Sequence, residues 1–306
     1  MKKLFPGLLT GLSTGLFIWG LLVNGHLAVA LSPKAATDPL KHIMVPHRAV
    51  YELSLVKKHQ SISVSAITGR MVFELTGSPC TGYRQKMRMV TRIIDAKGQP
   101  TLLDDRSNSW EGSQNRKFQF VLEQYKNKEL QEHVTGSARR DQIKSKLDVQ
   151  VKEPEALNLE LPGDVLFPVQ HSLALQRAAR AGRNHLDVRV YDGSDQGRSF
   201  YKTYSFIGGK KPPVGLTGGA NNKTGRGPHD ENLTKLGLSD LSSWPVAVSY
   251  FYIARKYDDK IPVYELSFRM FENGVSSSML MNYGHFSVYG RLGQVKYLRT
   301  KPCKRK

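Results

Sequence analysis

The chain of 306 residues carries 45 lysines and arginines against 26 acids, a formal charge of +19 at neutral pH, with 40% hydrophobic residues and two cysteines. It has no Cys-x-x-Cys pair, so thiol-redox catalysis lacks support, and nothing after Val45 is apolar enough for a membrane span. Such a basic chain suits an anionic partner, or else simply keeps itself soluble.

Residues 1–30 read as a secretory signal. Lys2 and Lys3 form a short positive region, residues 8–23 are apolar, and Ala28 and Ala30 have the spacing of a signal-peptidase site. The rival is an uncleaved anchor, but the apolar core falls short of the about 20 residues a span needs. Cleavage is expected before Leu31, with residues 31–46 as a tether and residues 47–306 as a single domain. Export, with membrane association peripheral at most, removes nucleic acid from the candidate partners. The positive charge is then directed to envelope lipid or an anionic polymer. In an oxidising compartment an even pair of cysteines reads as a disulfide, Cys80 to Cys303, a structural staple closing nearly the whole domain.

From His47 onward the dominant period is two. "HRAVYELSL" sets Ala49, Tyr51, Leu53 and Leu55 on one side, with Val50, Glu52 and Ser54 on the other. Similar runs include "SISVSAITGRMVFELTG", "YRQKMRMVTRIID" and "RKFQFVLEQY", and later "RSFYKTYSFIG", "WPVAVSYFYIA", "PVYELSFRMFENG" and "SMLMNYGHFSVYGRL". Ten or more such runs, rich in β-branched and aromatic residues, predict an antiparallel all-β domain curled into a barrel or sandwich. One helix interrupts them, at "LFPVQHSLALQRAARAGR". Pro168 suits its first position and Gly182 its stop, and Val169, Leu173, Gln176 or Arg177, and Arg180 share a stripe. Arg177, Arg180 and Arg183 complement the helix's negative pole and form a candidate anion-binding rim.

"VYDGSDQG" puts Asp192 and Asp195 around a Gly-Ser pair, and a calcium loop would continue with further acids where Arg198 follows. Asp-Gly between two alternating runs reads instead as a hairpin. Residues 208–232, crowded with Gly, Pro, Asn and Lys, read as a long mobile loop. His171 lacks a ligand partner at helical spacing and reads as structural, as does His285, expected inside a strand. The tandem acids Asp104-Asp105 and Asp258-Asp259 are expected at turns. No nucleophile-base set, phosphate loop or zinc helix appears, so no catalytic residue, metal or cofactor is assigned.

The Tyr, Phe and Met residues of "SWPVAVSYFYIARKYDD" and "MLMNYGHFSVYG" either fill a core or line a cavity open to apolar ligands. These segments, with "HRAVYELSL", "GRMVFELTGSPCTGY", "LPGDVLFPVQHS", "VYDGSDQG" and "ENGVSSSMLMNYGHFSVYGRL", occur in an order that resembles the cell-envelope integrity EipB family, from about His47 to Cys303. The resemblance implies an antiparallel β-spiral, an open or broken barrel with one helix, in a periplasmic protein of α-proteobacteria. It also implies a disulfide on Cys80 and Cys303, a role in envelope integrity and no catalytic motif. The expected function is therefore non-enzymatic: binding an envelope lipid or anionic amphiphile in the curled sheet. A scaffold for a periplasmic protein partner, working through strand edges without a small ligand, is the alternative. A wall or lipid hydrolase would need a catalytic set that the sequence does not offer.

Overall fold

A computed structural model describes residues 44–58, 64–141, 143, 145–213, 232–253 and 261–299. The expected signal, most of the tether, residues 214–231 of the expected loop, Asp258, Asp259 and Cys303 lie outside the described residues. Among the described residues, alternation of apolar and polar side chains produces fourteen antiparallel strands in one sheet. In chain order these are β1 (His47–Lys58), β2 (Val64–Ser78), β3 (Gly82–Asp95), β4 (Pro100–Glu111), β5 (Lys117–Lys126), β6 (Glu129–Asp141), β7 (Lys146–Glu153) and β8 (Leu157–Pro162). The helix α1 (Pro168–Arg180) follows, then β9 (His185–Val190), β10 (Tyr201–Ile207), β11 (Ser243–Tyr252), β12 (Tyr264–Phe271), β13 (Ser276–Asn282) and β14 (Phe286–Tyr297).

The sheet order is β8-β7-β6-β5-β4-β3-β2-β1-β14-β13-β12-β11-β10-β9. The chain meanders outward from β1 to β8, crosses through α1, and meanders back from β9 until β14 pairs with β1. The two terminal strands are not paired along their length. The segment after β8 makes a one-residue parallel bridge to the end of β9, where Leu166 N–H donates to the Arg189 carbonyl (2.8 Å) and Tyr191 N–H to that of Leu166 (2.9 Å). The result is the open, broken-barrel sheet with one helix that the resemblance implies.

Strands from both arms of the meander turn one face toward α1. Ala49, Tyr51 and Leu53 are buried, as their alternation predicts, and β10 buries Tyr201, Thr203, Ser205 and Ile207. Val169 near the start of α1 packs with Leu75 of β2 and Tyr83 of β3. Leu175, Ala178 and Ala179 near its end pack with Ile207, Val248 and Met270 from β10 to β12. One helix touches both arms of the meander, so the sheet must curl around it. Pro168 begins the helix and Gly182, in the left-handed region at φ +70°, follows its end, both as expected. The buried stripe differs from the expected one. Leu175, Ala178 and Ala179 face inward and Leu173 is only half-buried, because the sheet covers a wider arc than one narrow stripe.

The start of α1 is capped from another strand. Buried Glu111, last residue of β4, accepts the N–H groups of Val169 (2.5 Å) and Gln170 (3.1 Å), and Gln170 Oε1 accepts that of Phe167 (3.3 Å). Burial pushes the Glu111 carboxyl up to about 8, against the opposing pull of those two backbone donors.

Two expectations are corrected. Asp104 and Asp105 lie within β4, not at a turn: Arg88 and Arg106 both bind Asp104 (2.8 and 2.7 Å), and Gln124 binds Asp105 (2.8 Å). His285 lies in the turn between β13 and β14, because that single apolar run is two strands. "VYDGSDQG" joins the paired antiparallel strands β9 and β10, as the hairpin reading expects, through ten residues with a 3-10 turn at Asp195–Gly197. Its Gly193, at φ +85°, lies against Phe120, where an added Cβ would come within 2.3 Å of the ring.

Candidate functional site

Between α1 and the concave face of the sheet lies a cavity of about 230 Å³. Its apolar wall includes Met44, Met71, Met270 and Met279, with Leu266 and Phe268 from β12. Methionine is unbranched and adapts to irregular occupants. Its polar members are His47, Tyr51, Gln85, Tyr250 and Ser276 from the sheet side, and His171, Ser172 and Gln176 from α1. Among the described residues no Asp, Glu, Lys or Arg lines it.

Two of the sheet-side polar groups are satisfied within the protein. The Tyr51 hydroxyl donates to the Ser276 carbonyl (2.8 Å), and His47 Nδ1 lies 2.7 Å from the Val45 carbonyl. On α1, Ser172 Oγ donates to the Pro168 carbonyl (3.1 Å), and the other two groups are different. His171 Nε2 and Gln176 Oε1 are buried with no hydrogen-bond partner in the protein, although their residues are only 5% and 2% exposed. A buried polar group without a partner is costly and calls for an occupant that can pair with it. Burial lowers the His171 pKa to about 4, so its imidazole is neutral at pH 7. The His171 ring stands edge-on to Tyr250 at 6.4 Å.

The concave face continues as a belt of tyrosines. Tyr250 stacks on Tyr264 (4.3 Å) and Tyr201 on Tyr252 (4.8 Å). Ser194 Oγ lies 2.6 Å from Asp192 and 2.8 Å from the Tyr201 hydroxyl, so the loop that raised the question of paired carboxylates ends in this belt. Burial raises the Asp192 pKa, while Asp195 is exposed at the surface. The two acids therefore do not share a site. A smaller cavity of about 170 Å³ lies between Leu53, Met89, Met281 and Tyr283, with Asp105 at its wall.

The convex face is charged. Arg84, Lys86, Arg88 and Arg92 project from the exposed side of β3 at every second position except Val90. Arg88 and Arg106 hold Asp104 between them, which brings its carboxyl down to about 2.

The sequence-predicted rim lies elsewhere. Arg177 and Arg180 are on the exposed side of α1, and Arg180 donates to the Glu272 carbonyl (2.7 Å). Arg183 is exposed beyond the helix end, and its N–H donates to the Ala178 carbonyl (3.0 Å). None of the three lines the cavity. Cys80 occupies the β2–β3 turn. The sequence does carry a signal for His171 and Gln176: both are polar residues among the apolar side chains of an amphipathic helix. Lacking a metal-ligand spacing, His171 reads there as structural.

Among the described residues no helix is long and apolar enough to cross a membrane. A family model described as EipB-like matches residues 40–299. The cell envelope integrity protein EipB of Brucella abortus (strain 2308) is 32% identical over 250 residues, 81% of this chain and 82% of that protein. The crystal structure of a β-barrel-like protein with a domain of unknown function, also from Brucella abortus, aligns with a TM-score of 0.73 at 29% identity. That alignment covers 84% of this chain and 99% of the other.

Proposed function

The chain belongs to the EipB-like family, and from that premise we propose that it is an exported, non-enzymatic protein that supports cell-envelope integrity by holding the apolar chain of an envelope lipid under α1. The relative's name supports the envelope role. The observation that carries the binding role is the uncharged, methionine-lined cavity between α1 and the sheet. Apolar clefts with a few placed polar groups are the ordinary form of small-molecule sites, and this one has the size for one chain rather than a whole lipid. Arg177, Arg180 and Arg183, on the solvent side, are then candidate contacts for an anionic head that stays in water. Export also includes cleavage before Leu31 and a Cys80–Cys303 disulfide.

Native mass spectrometry of protein released gently from the periplasm tests this reading. The expected species starts at Leu31, lacks two hydrogens and carries a lipid-sized adduct. A processed, oxidised chain that never carries an adduct would overturn the lipid-holding role. It would favour a second reading, in which the exposed cations of β3 bind an anionic envelope polymer.

A further inference from the structure

We infer that the occupant of the cavity under α1 carries, on or next to its apolar chain, an uncharged group that both donates and accepts hydrogen bonds, such as a hydroxyl or an amide, held by His171 and Gln176. The inference rests on the lipid-holding reading and specifies the chemistry of the buried part of the ligand. His171 Nε2 and Gln176 Oε1 are the observation behind it: both residues line the cavity, both are more than nine-tenths buried, and neither atom has a protein partner.

Charge is excluded first. Among the described residues no cationic or anionic side chain lines the cavity, and an unpaired charge in such a place is far costlier than an unpaired dipole. The His171 imidazole is neutral there and offers no counter-charge. An anionic head group therefore has to remain outside, and only the adjoining part of the molecule can enter. An ester is the next to fail. It accepts hydrogen bonds but has no proton to give, so it leaves the Gln176 oxygen unpaired. A neutral imidazole nitrogen either carries the proton or receives one, and a carboxamide can turn over. A partner able to donate and accept satisfies each of these arrangements.

The remaining surface is compatible with a chain attached to such a group. Met44 and Gly274 lie beside Gln176, where an added Cβ on Gly274 would be 3.2 Å from the Gln176 Nε2, so the lining is already close-fitting on that side. Toward His171 the cavity is bounded by Tyr250. Its volume exceeds the roughly 150 Å³ at which a dry apolar cavity takes up a benzene-sized guest.

The test is calorimetric titration of the full mature protein at pH 7.5 with four ten-carbon probes: decan-1-ol, decanamide, methyl decanoate and decanoate. The alcohol and the amide are expected to bind about tenfold more tightly than the ester, the difference made by one buried hydrogen bond, with decanoate weakest. Gln176→Leu is expected to remove the preference of alcohol over ester, with folding checked by its melting curve. Equal affinities for the alcohol, amide and ester in the wild type, or a preference for decanoate, would overturn the hydrogen-bonding inference while leaving the cavity as an apolar site. Failure of all four probes to bind the wild type would overturn the lipid-holding reading itself.

Discussion

Between β5 and β8 the inward residues fill the space they enclose, whereas around α1 the same alternation leaves a cavity. In the first region Phe118 lies stacked between Phe120 (5.4 Å) and Phe167 (4.8 Å), and Tyr191 meets both Phe118 and Phe120 edge-on. Two glycines, Gly136 and Gly193, let backbone approach the Phe120 ring more closely than any Cβ would permit. In the second region the sheet faces Ser172, Leu175 and Gln176 of α1, whose side chains do not reach across. Period two assigns a residue to a face, but the partner opposite decides whether that face is filled. The filled half is packed solid and the hollow half is the proposed lipid site, and the two should answer differently to substitution.

The sharpest separation is expected from truncating one side chain in each half. Phe118→Ala, at a site with no solvent exposure, should lower the free energy of unfolding by about 4 kcal/mol. Met279→Ala, which enlarges a space already present, should cost no more than about 2 kcal/mol. Urea denaturation with a common slope measures both, and equal losses would erase the distinction between the halves. The proposed bridge between Cys80 and Cys303 sets a constraint shared by both regions. Cys80→Ser is expected to cost about 3 kcal/mol in oxidising buffer and nothing further in reducing buffer. A melting curve that matches the wild type under oxidising conditions would remove the staple.

The contrast between the halves also governs what could be read in advance. Strands with strong alternation, such as β1, β10 and β11, were legible because each buries one face against a continuous apolar wall. β4 was not: its Asp104 and Asp105 look like turn residues, and only Arg88, Arg106 and Gln124 from neighbouring strands explain how a strand carries them. β6 is written with Glu132, His133, Arg139 and Arg140 beside its few apolar positions, β7 is short and charge-rich, and β8 is shorter still. Their apolar residues become meaningful only once Phe167 and Tyr191 return from distant sequence to cover them. For the site, the methionines and tyrosines of β11 and β13 were readable as cavity material. The significance of His171 and Gln176 was not, because an absent partner is a property of three-dimensional packing. The cap on α1 is likewise invisible in sequence, since Glu111 comes from far upstream.

That cap is where the two halves meet, and it yields the smallest predicted effect together with the one whose sign is most diagnostic. Burial lifts the Glu111 carboxyl to about 8 in the folded protein, against an ordinary value of 4.5 when exposed. Between those values the native state holds a proton that the unfolded chain has released, so this group's contribution to stability falls as pH rises. His171 works in the opposite direction: its folded value is about 4 against 6.5, so its contribution grows as pH rises from 4 to 6.5, and His47, also lowered by burial, acts with it. From pH 4.5 to 6.5 Glu111 and His171 largely cancel, and above 6.5 the Glu111 contribution is exposed. Wild-type stability is expected to fall by up to about 2 kcal/mol between pH 6.5 and 8.0, the limit set by one proton. Glu111→Gln, which keeps a carbonyl acceptor for the helix N–H groups, should remove that slope and unmask the histidine-driven loss below pH 6.5. If the variant and the wild type keep parallel profiles across both ranges, the Glu111 carboxyl is ionised throughout. The seam between the filled and the hollow halves is then held by a buried anion on the helix N-terminus rather than by a neutral acid.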